Sequence, residues 1–377
     1  MKANPLKQLE PLGQSIWLDY IRRDLIEGGG LRRLILDDGL RGMTSNPSIF
    51  EKAIVESHDY DADIRALIVE GKSAKEIYEA LSQRDVRSAA DEFKSVYEMT
   101  DGIDGYVSLE VNPHLAHDTN GTIQEARRLW NALDRPNVFI KVPATPEGLP
   151  AIRHLITEGI NVNVTLLFGL PRYLQVAEAY IAGIEARVAQ GKCVKHVASV
   201  ASFFVSRIDS LVDTLLTLVI AQGGHDAELA KSLLGQVAVA NAKLAYQSYK
   251  ELFGSLRFNN LIEAGARVQR LLWASTGTKN PEYSDVKYVE ALIGPNTVNT
   301  VPLETFDAYR AHGEPEATLE MDIGEAARLM KRLPALGISI DHVTQQLEDE
   351  GVEKFDKPFD KLMETLAQKS SLDGKKP

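Results

Sequence analysis

A lysine inside an apolar run is the residue of this chain best suited to covalent chemistry. The run covers residues 137–145, with the sequence NVFIKVPAT, and Lys141 is its charged residue. Burial disfavours the charged form of an amine, and a neutral amine attacks a carbonyl carbon to give a Schiff base. The alternative is a lysine whose side chain leaves the strand end and joins a salt bridge in solvent. The other polar residues decide between these two interpretations.

Further reactive side chains lie at or near the ends of other apolar runs. They comprise two carboxylates, two cations and several hydroxyl and amide groups: Asp19, Asn46, Glu110, Asn163, Thr165, Ser202, Arg207, Ser275 and Lys279. If the runs are strands of a parallel barrel, their carboxyl ends meet on one face of the fold. The sequence therefore predicts one site that combines an amine with two acids and neutral hydrogen-bonding groups.

This combination fits Schiff-base aldol chemistry. After Lys141 attacks a ketose carbonyl, the carbinolamine must lose water, and Glu110 is a candidate for the proton relay, with Thr165 holding the water. Cleavage of the carbon–carbon bond needs a base for a hydroxyl proton, a role suited to Asp19. Neutral side chains orient substrate hydroxyl groups without adding charge, and the candidates are Asn46, Asn163 and Ser202.

Eight β-rich runs alternate with longer segments of helical periodicity. The runs are 15–20, 42–46, 105–111, 138–142, 161–167, 196–205, 270–275 and 297–301. This alternation predicts an α/β protein with a (β/α)8 TIM-type barrel. A doubly wound sheet is the alternative, but it needs a glycine-rich phosphate turn after its first strand. The triplet at residues 28–30 lacks that glycine spacing and more simply ends one helix and opens another.

Helical patterns fill the segments between the runs and continue after the last one. They cover 73–99, 122–132, 171–189, 208–221, 227–253, 324–333 and 341–366. In the last pattern Phe355, Phe359, Leu362 and Leu366 recur at helical spacing, so this face should pack onto the barrel. We therefore expect residues 1–369 to form one barrel domain with additional C-terminal helices, and residues 370–377 to be a disordered tail.

Composition excludes several classes of partner. The 377 residues carry a formal net charge of -11, which repels nucleic acid and anionic lipid. The single cysteine fits a reducing compartment, and the polar first residues and the absence of a long apolar segment predict a cytoplasmic, soluble protein. His114 and His117 have a spacing suited to metal ligands, but no third ligand follows at an obvious spacing, so we expect a surface turn there. We expect no metal and no organic cofactor.

Six ordered segments resemble the motifs of the transaldolase family, most closely its longer bacterial form. They are SIWLD at 15–19, TSNPSIF at 44–50, SLEV at 108–111, IKVP at 140–143, NVNVTLLF at 161–168 and ASFFVSRID at 201–209. Two later segments, WASTGTKNP at 273–281 and LIGPNTVNT at 292–300, resemble the seventh and eighth strands of that subgroup. The resemblance covers about residues 4 to 370.

The resemblance implies transfer of a dihydroxyacetone unit between sugar phosphates in the pentose phosphate pathway. The usual pair is sedoheptulose 7-phosphate and glyceraldehyde 3-phosphate, giving erythrose 4-phosphate and fructose 6-phosphate. By that likeness Lys141 forms the Schiff base, Asp19 is the acid/base for carbon–carbon cleavage, and Glu110 with Thr165 manages the catalytic water. The residues that contact substrate are then Asn46, Asn163 and Ser202 for the dihydroxyacetone part, Phe204 at the site wall, and Arg207 and Ser275 for the phosphate.

One position departs from the pattern of shorter transaldolases. Those proteins complete the phosphate site with Ser-x-Arg after the seventh strand, whereas Ser275 is followed here by Thr276 and Gly277. We expect Lys279, two residues further on, to supply the missing cation as a flexible point charge.

Two other functions remain open from the sequence alone. One is a Schiff-base aldolase that releases dihydroxyacetone, and the other is a non-catalytic sugar-phosphate-binding barrel. Glu110 favours transfer over release, because related aldolases differ in how the carbanion is protonated. The resemblance also implies small-molecule sugar phosphates as the partners, with a monomer or homodimer as the assembly.

Overall fold

The structure, a computed structural model that describes residues 4–373, is a closed barrel of eight parallel strands surrounded by helices. Neighbouring strands pair in sequence order, and the last strand pairs with the first. The strands are β1 Gln14–Asp19, β2 Gly42–Thr44, β3 Tyr106–Glu110, β4 Val138–Pro143, β5 Val162–Leu167, β6 Ser199–Phe204, β7 Arg270–Ala274 and β8 Thr297–Val301. The predicted (β/α)8 barrel is confirmed, and each strand overlaps one of the eight apolar runs.

Helices connect the strands and extend the chain after the last one. In residues 4–373 they are α1 Arg23–Glu27, α2 Gly30–Asp38, α3 Pro47–Val55, α4 Asp61–Val69, α5 Ala74–Glu92, α6 Lys94–Met99, α7 Thr119–Leu133, α8 Gly148–Glu158, α9 Leu170–Ala189, α10 Ser206–Gln222, α11 His225–Leu233, α12 Val237–Phe253, α13 Leu256–Glu263, α14 Lys287–Glu290, α15 Leu303–His312, α16 Ile323–Arg332 and α17 Ile340–Asp373. Short 3-10 helices cover Pro5–Gln8, Glu10–Leu12, Pro113–Leu115 and Leu333–Leu336.

The strands are buried on both faces, which explains their nearly continuous apolar runs. Side chains that point outward pack under the helices, and side chains that point inward fill the barrel. Near the amino-terminal end of the barrel, the rings of Trp17, Tyr106 and Phe139 stack at centroid distances of 4.3 to 6.4 Å. The predicted site residues lie at the other end, toward the carboxyl ends of the strands.

Two predicted helices are interrupted. The pattern at 73–99 divides at Phe93 into α5 and α6, and the pattern at 227–253 divides into α11 and α12. The second division has a clear cause, because the buried Asp209 carboxylate accepts a hydrogen bond of 2.7 Å from the Ala238 backbone N–H in the first turn of α12. A carboxylate at this place compensates for the unpaired N–H groups of a helix start.

Helix α17 runs over the carboxyl end of the barrel, from Glu348, paired with Arg172 of α9, to Lys369, paired with Asp61 of α4. It ends at Asp373, and near this end Leu366 is fully buried and the Ser370 hydroxyl donates to the Leu366 carbonyl at 3.0 Å. The expected disordered tail from residue 370 stays a prediction. Residues 374–377 lie outside the described part of the chain.

No helix in residues 4–373 combines the length and the apolar character needed to cross a lipid bilayer.

Candidate active site

The register of three neighbouring strands places the lysine between an acid and an amide. Glu110 at the end of β3 pairs with Lys141 of β4, and Lys141 pairs with Asn163 of β5. Paired residues on adjacent parallel strands point to the same side of the sheet. The alternating pattern of each strand therefore brings these three side chains into one row inside the barrel.

The Lys141 amine is enclosed and has polar contacts on two sides. Its Nζ lies 3.0 Å from Glu110 Oε2 and donates to the Ser45 backbone carbonyl at 2.9 Å. The side chains of Lys141 and Glu110 are only 5% and 3% exposed. Because the ion pair lies inside the barrel, the interpretation of Lys141 as a lysine that reaches into solvent is wrong.

Asp19 approaches the amine from the end of β1. It pairs in register with Thr44 of β2, whose hydroxyl donates to Asp19 Oδ1 at 2.6 Å and lies 2.7 Å from the Thr300 hydroxyl of β8. Burial raises the pKa of Asp19, and the positive charge of Lys141 and the hydrogen bond from Thr44 oppose that shift only in part. The carboxyl group is thus held in place by one short hydrogen bond and can exchange a proton.

Glu110 and Thr165 have polar atoms left free for a further partner. Burial raises the pKa of Glu110, and the nearby Lys141 charge opposes the shift. Glu110 Oε1 and Thr165 Oγ1 are buried and accept or donate no hydrogen bond within residues 4–373. Buried polar atoms are normally satisfied by protein or by ordered water. The two residues can therefore hold a water molecule beside the amine.

Neutral hydrogen-bonding groups extend the site across β3, β5 and β6. Ser202 donates to Asn163 Oδ1 at 2.6 Å, and Asn163 Nδ2 donates to the Ser108 hydroxyl at 3.1 Å. Asn46 has a double role: its side-chain oxygen caps α3 by accepting from the Ile49 N–H at 3.0 Å. Its Nδ2 group remains as the donor that faces the cavity.

Two positively charged side chains, Arg207 and Lys279, also line the cavity. Arg207, in the first turn of α10, lies 5.2 Å from the centre of the Phe204 ring, and its buried Nη1 has no hydrogen-bond partner among the described residues. Burial lowers the pKa of Arg207, while Asp19 and Glu350 oppose that shift. Lys279 is exposed and makes no ion pair with a described residue. Two positive groups are thus available for an anion.

Gly277 explains why no arginine follows Ser275 at the second position. A Cβ atom at 277 would lie 2.9 Å from Pro302 Cγ and 3.3 Å from Thr305 Oγ1. A longer side chain needs Pro302, which precedes the first residue of α15, to move, because a proline ring cannot rotate away. A cation on this loop must therefore come from another position, and Lys279 meets the requirement.

These groups surround a single cavity of about 160 Å³. Nine of the eleven predicted site residues line it: Asp19, Asn46, Lys141, Thr165, Ser202, Phe204, Arg207, Ser275 and Lys279. The other two are Glu110, in contact with Lys141, and Asn163, in contact with Ser202. The structure thus brings the whole predicted set together.

Backbone strain marks two strand ends of this cavity. Leu166, directly after Thr165, has a φ of 58°, and Ser275 has a φ of 53°. Both values are unfavourable for residues with a side chain, and a branched residue such as Leu166 is an outlier there. The register of β5 with β6 shifts between Val164 and Leu167. Strain of this kind accumulates where a site requires one particular backbone direction.

Sequence reasoning missed part of the cavity wall. Thr44, Thr300, Pro302 and Phe355 also line it, and of these Thr44 and Thr300 lie in segments that the motifs marked, without being named as site residues. Phe355 comes from α17, with its ring centre 5.6 Å from Lys141 Nζ. Helical spacing indicates that Phe355 faces the barrel, but no local signal indicates that it reaches the lysine.

A larger cavity, of about 410 Å³, lies at the amino-terminal end of the barrel. Tyr106, Phe139 and Arg270 are among its lining residues, and it contains none of the eleven predicted site residues. Its walls are mostly apolar, and Arg270 is already bound to Asp104 and to the Ser15 hydroxyl. Volume alone therefore does not identify the reactive site.

The two histidines of the possible metal motif belong to separate ion pairs. His114 Nε2 lies 2.7 Å from Asp360, and His117 Nδ1 lies 3.1 Å from Glu147. Residues 4–373 contain no group of three or more histidine, cysteine or acidic side chains with a geometry that could hold a metal ion.

Comparison with known proteins gives a consistent result. The family model described as transaldolase/fructose-6-phosphate aldolase matches residues 16–366. Among curated relatives, a transaldolase of Trichodesmium erythraeum is 51% identical over 373 residues, covering 98% of both chains. A protein of Nostoc sp. named transaldolase 2 is 48% identical with 99% of both chains covered, and a transaldolase of Thermobifida fusca is 47% identical, covering 97% of this chain and 98% of its own. The chain therefore belongs to the transaldolase/fructose-6-phosphate aldolase family.

Proposed function

We propose that this chain transfers a dihydroxyacetone unit from a ketose phosphate to an aldose phosphate through a Schiff base on Lys141. The observation that carries the proposal is the buried amine, 3.0 Å from Glu110, in a cavity that Asp19 also lines. The full-length relatives named transaldolase support transfer rather than release as the reaction.

Schiff-base formation needs a mobile proton near the amine. The nitrogen attacks the ketose carbonyl, the carbinolamine hydroxyl takes a proton, and water leaves to give the iminium. Glu110 is suited to donate and later recover that proton, because burial raises its pKa and keeps it protonated to a higher pH than usual. The Thr165 hydroxyl, which lines the cavity and has no hydrogen-bond partner among the described residues, is suited to position the departing water.

Cleavage of the carbon–carbon bond needs a second acid/base group. In its ionised form Asp19 takes the proton of the hydroxyl group on the carbon that becomes the aldehyde, and the bonding electrons move into the iminium. The three-carbon enamine that remains on Lys141 then attacks the acceptor aldehyde, and Asp19 returns its proton. The separate contacts of the two acids, Thr44 for Asp19 and Lys141 for Glu110, allow them to do different tasks.

The positions of the neutral and the positively charged groups support one orientation of the sugar phosphate in this cavity. The amide and hydroxyl groups of Asn46, Asn163 and Ser202 suit the hydroxyls of the dihydroxyacetone part, and Ser202 and Asn163 are already aligned by their own hydrogen bond. Arg207, Ser275 and Lys279 suit the phosphate, and Phe204 forms the wall below the guanidinium. Local cations are required here because the net charge of -11 repels anionic substrates.

Transfer and simple cleavage are distinguished by the products. With fructose 6-phosphate and erythrose 4-phosphate, we expect equal amounts of sedoheptulose 7-phosphate and glyceraldehyde 3-phosphate, measured by mass spectrometry, and little free dihydroxyacetone. If glyceraldehyde 3-phosphate and free dihydroxyacetone form in equal amounts, the chain is an aldolase. If no product forms and the protein still binds sugar phosphate, the non-catalytic alternative is correct.

The phosphate assignment predicts unequal effects of the two cations. Arg207→Ala should lower kcat/KM for fructose 6-phosphate about 10- to 100-fold, the range for losing a buried charge-assisted hydrogen bond. Lys279→Ala should cost only about three- to tenfold, because an exposed charge is screened by solvent. Steady-state kinetics with fructose, which lacks the phosphate, should show much smaller losses. Lys231→Ala, an exposed lysine on α11, is the control; equal losses on fructose would contradict the assignment.

We propose a cytoplasmic enzyme that acts as a monomer or homodimer. The eleven predicted site residues lie together within one chain, which is compatible with either assembly.

A further inference from the structure

A phenylalanine from the C-terminal helix covers the reactive lysine. Phe355 of α17 is 4% exposed, its ring centre lies 5.6 Å from Lys141 Nζ, and it lines the cavity together with Thr165 and Ser202. At this distance the ring face attracts a cationic nitrogen and excludes water from that side of it. None of the strands that carry the other site residues supplies this ring.

Several ion pairs hold α17 over the barrel. Glu348 binds Arg172 at 3.0 Å and Lys361 binds Glu51 at 2.7 Å, on either side of Phe355. His114 lies between two carboxylates of the helix, 3.5 Å from Asp356 and 2.7 Å from Asp360. These contacts join α17 to α9, to α3 and to the turn at His114, on both sides of Phe355.

Gly351 brings the helix close to the strand end that carries Thr165. A Cβ atom at this position would lie 3.0 Å from Leu166 Cδ2. Leu166 is the residue of β5 with the unfavourable φ of 58°, so helix α17 contacts the strained end of this strand. The helix and the carboxyl end of β5 therefore form one packed unit above the lysine.

We propose that Phe355 is a positioning residue that protects the covalent intermediate and so favours transfer over release. The inference rests on the proposed function and concerns the three-carbon enamine, which stays bound to Lys141 until the acceptor aldehyde enters the cavity. Phe355 shields the nitrogen and the carbons attached to it, so that water reaches them only from the side of Glu110 and Thr165.

Without this cover, a competing reaction becomes accessible. A proton adds to the carbon at which the carbon–carbon bond was broken, which converts the enamine into an iminium. Water then adds to the imine carbon, the carbon–nitrogen bond breaks with its electrons passing to Lys141 Nζ, and the water oxygen becomes the carbonyl oxygen of dihydroxyacetone. Water supplies every atom needed, and removal of the ring gives it a second route of approach.

The test compares Phe355 with a second phenylalanine of the same helix. Phe359 lies one turn further on, is 6% exposed, and packs against Tyr78 and His114 rather than lining the cavity. With fructose 6-phosphate and erythrose 4-phosphate, the measured quantity is free dihydroxyacetone divided by sedoheptulose 7-phosphate. In Phe355→Ala this ratio should rise about 3- to 30-fold, because water gains a second route to the intermediate when the ring is removed.

The control and the conservative variant make the test decisive. Phe359→Ala should leave the ratio at the wild-type value even if it lowers stability, and Phe355→Leu should give an intermediate ratio. A ratio does not depend on the fraction of folded enzyme, so partial unfolding of a variant does not obscure the result. An unchanged ratio in both Phe355 variants, or an equal rise in Phe359→Ala, overturns the inference.

The wild-type enzyme separates this inference from the proposed function. If the wild type forms sedoheptulose 7-phosphate while the Phe355 variants keep its ratio, only the role of Phe355 is refuted. If the wild type forms neither this product nor a borohydride-trapped adduct, the proposed function itself fails and the inference fails with it.

Discussion

Replacing Lys141 with methionine is expected to abolish transfer, with a loss of kcat of about 10⁴- to 10⁶-fold, the range seen when an enzyme loses its nucleophile. The reason is chemical, because no other described lysine or amine contacts Glu110 in the cavity. Incubation with fructose 6-phosphate and borohydride, followed by intact-mass measurement, should show one dihydroxyacetone adduct on the wild type and none on Lys141→Met.

The Lys141→Met variant needs a control for its loss of charge and of stability, because it leaves the buried Glu110 without its positively charged partner. An unpaired buried charge is destabilising, by about 3 to 5 kcal/mol. Lys141→Arg keeps the positive charge beside Glu110 but cannot form an imine, so it should fold with a thermal midpoint closer to the wild type and remain inactive. Peptide mapping should locate the wild-type adduct at Lys141. An adduct at another residue, or turnover by Lys141→Arg, would contradict the mechanism.

Asp19→Asn is expected to separate the two halves of the reaction. Schiff-base formation should persist because Lys141 and Glu110 are intact, while carbon–carbon cleavage loses its base and slows about 10²- to 10⁴-fold. The imine should therefore retain the whole ketose, and borohydride trapping should give an adduct with the mass of the complete sugar phosphate rather than of three carbons. Asparagine preserves the hydrogen bond from Thr44 and nearly the same volume.

The pH dependence provides a second check on Asp19. Burial raises its pKa, so the group remains protonated to a higher pH than an ordinary aspartate, and kcat/KM should fall as the pH decreases through that raised value. The sign for stability is opposite: ionising a carboxyl group with a raised folded pKa costs folding free energy. The wild type should lose stability as the pH rises through this range, and Asp19→Asn should lose less, because Glu110 still has a raised pKa in the variant. Full transfer activity in Asp19→Asn would contradict the assigned role.

The sequence was sufficient to predict the barrel because strand period and order are local properties. Each of the eight apolar runs became a strand, and residues at the run ends came to one face because parallel strands share a direction. The pairing of Glu110 with Lys141 and of Lys141 with Asn163 depends on the stagger between strands. No single run contains that stagger, so the contacts could be anticipated but not measured from the sequence.

Helix boundaries were less predictable, because they depend on side chains from distant segments. The start of α12 is set by Asp209, which belongs to the first turn of α10. Helix α17 extends beyond the predicted end at residue 366, and the ion pair of Lys369 with Asp61 of α4 lies in that extension. Apolar periodicity indicates that a helix exists, whereas caps and tertiary ion pairs determine where it stops.

By themselves the residues determined the fold, and they predicted the proposed chemistry through the identities of Lys141, Asp19 and Glu110 and their places at strand ends. The tertiary structure alone decided how the amine is enclosed. Phe355 lies in a helix that is remote in sequence, and it reaches Lys141 only because α17 is bound across the barrel. Local sequence encodes which groups react, but exclusion of water depends on packing between distant segments, and that property exists only in the folded chain.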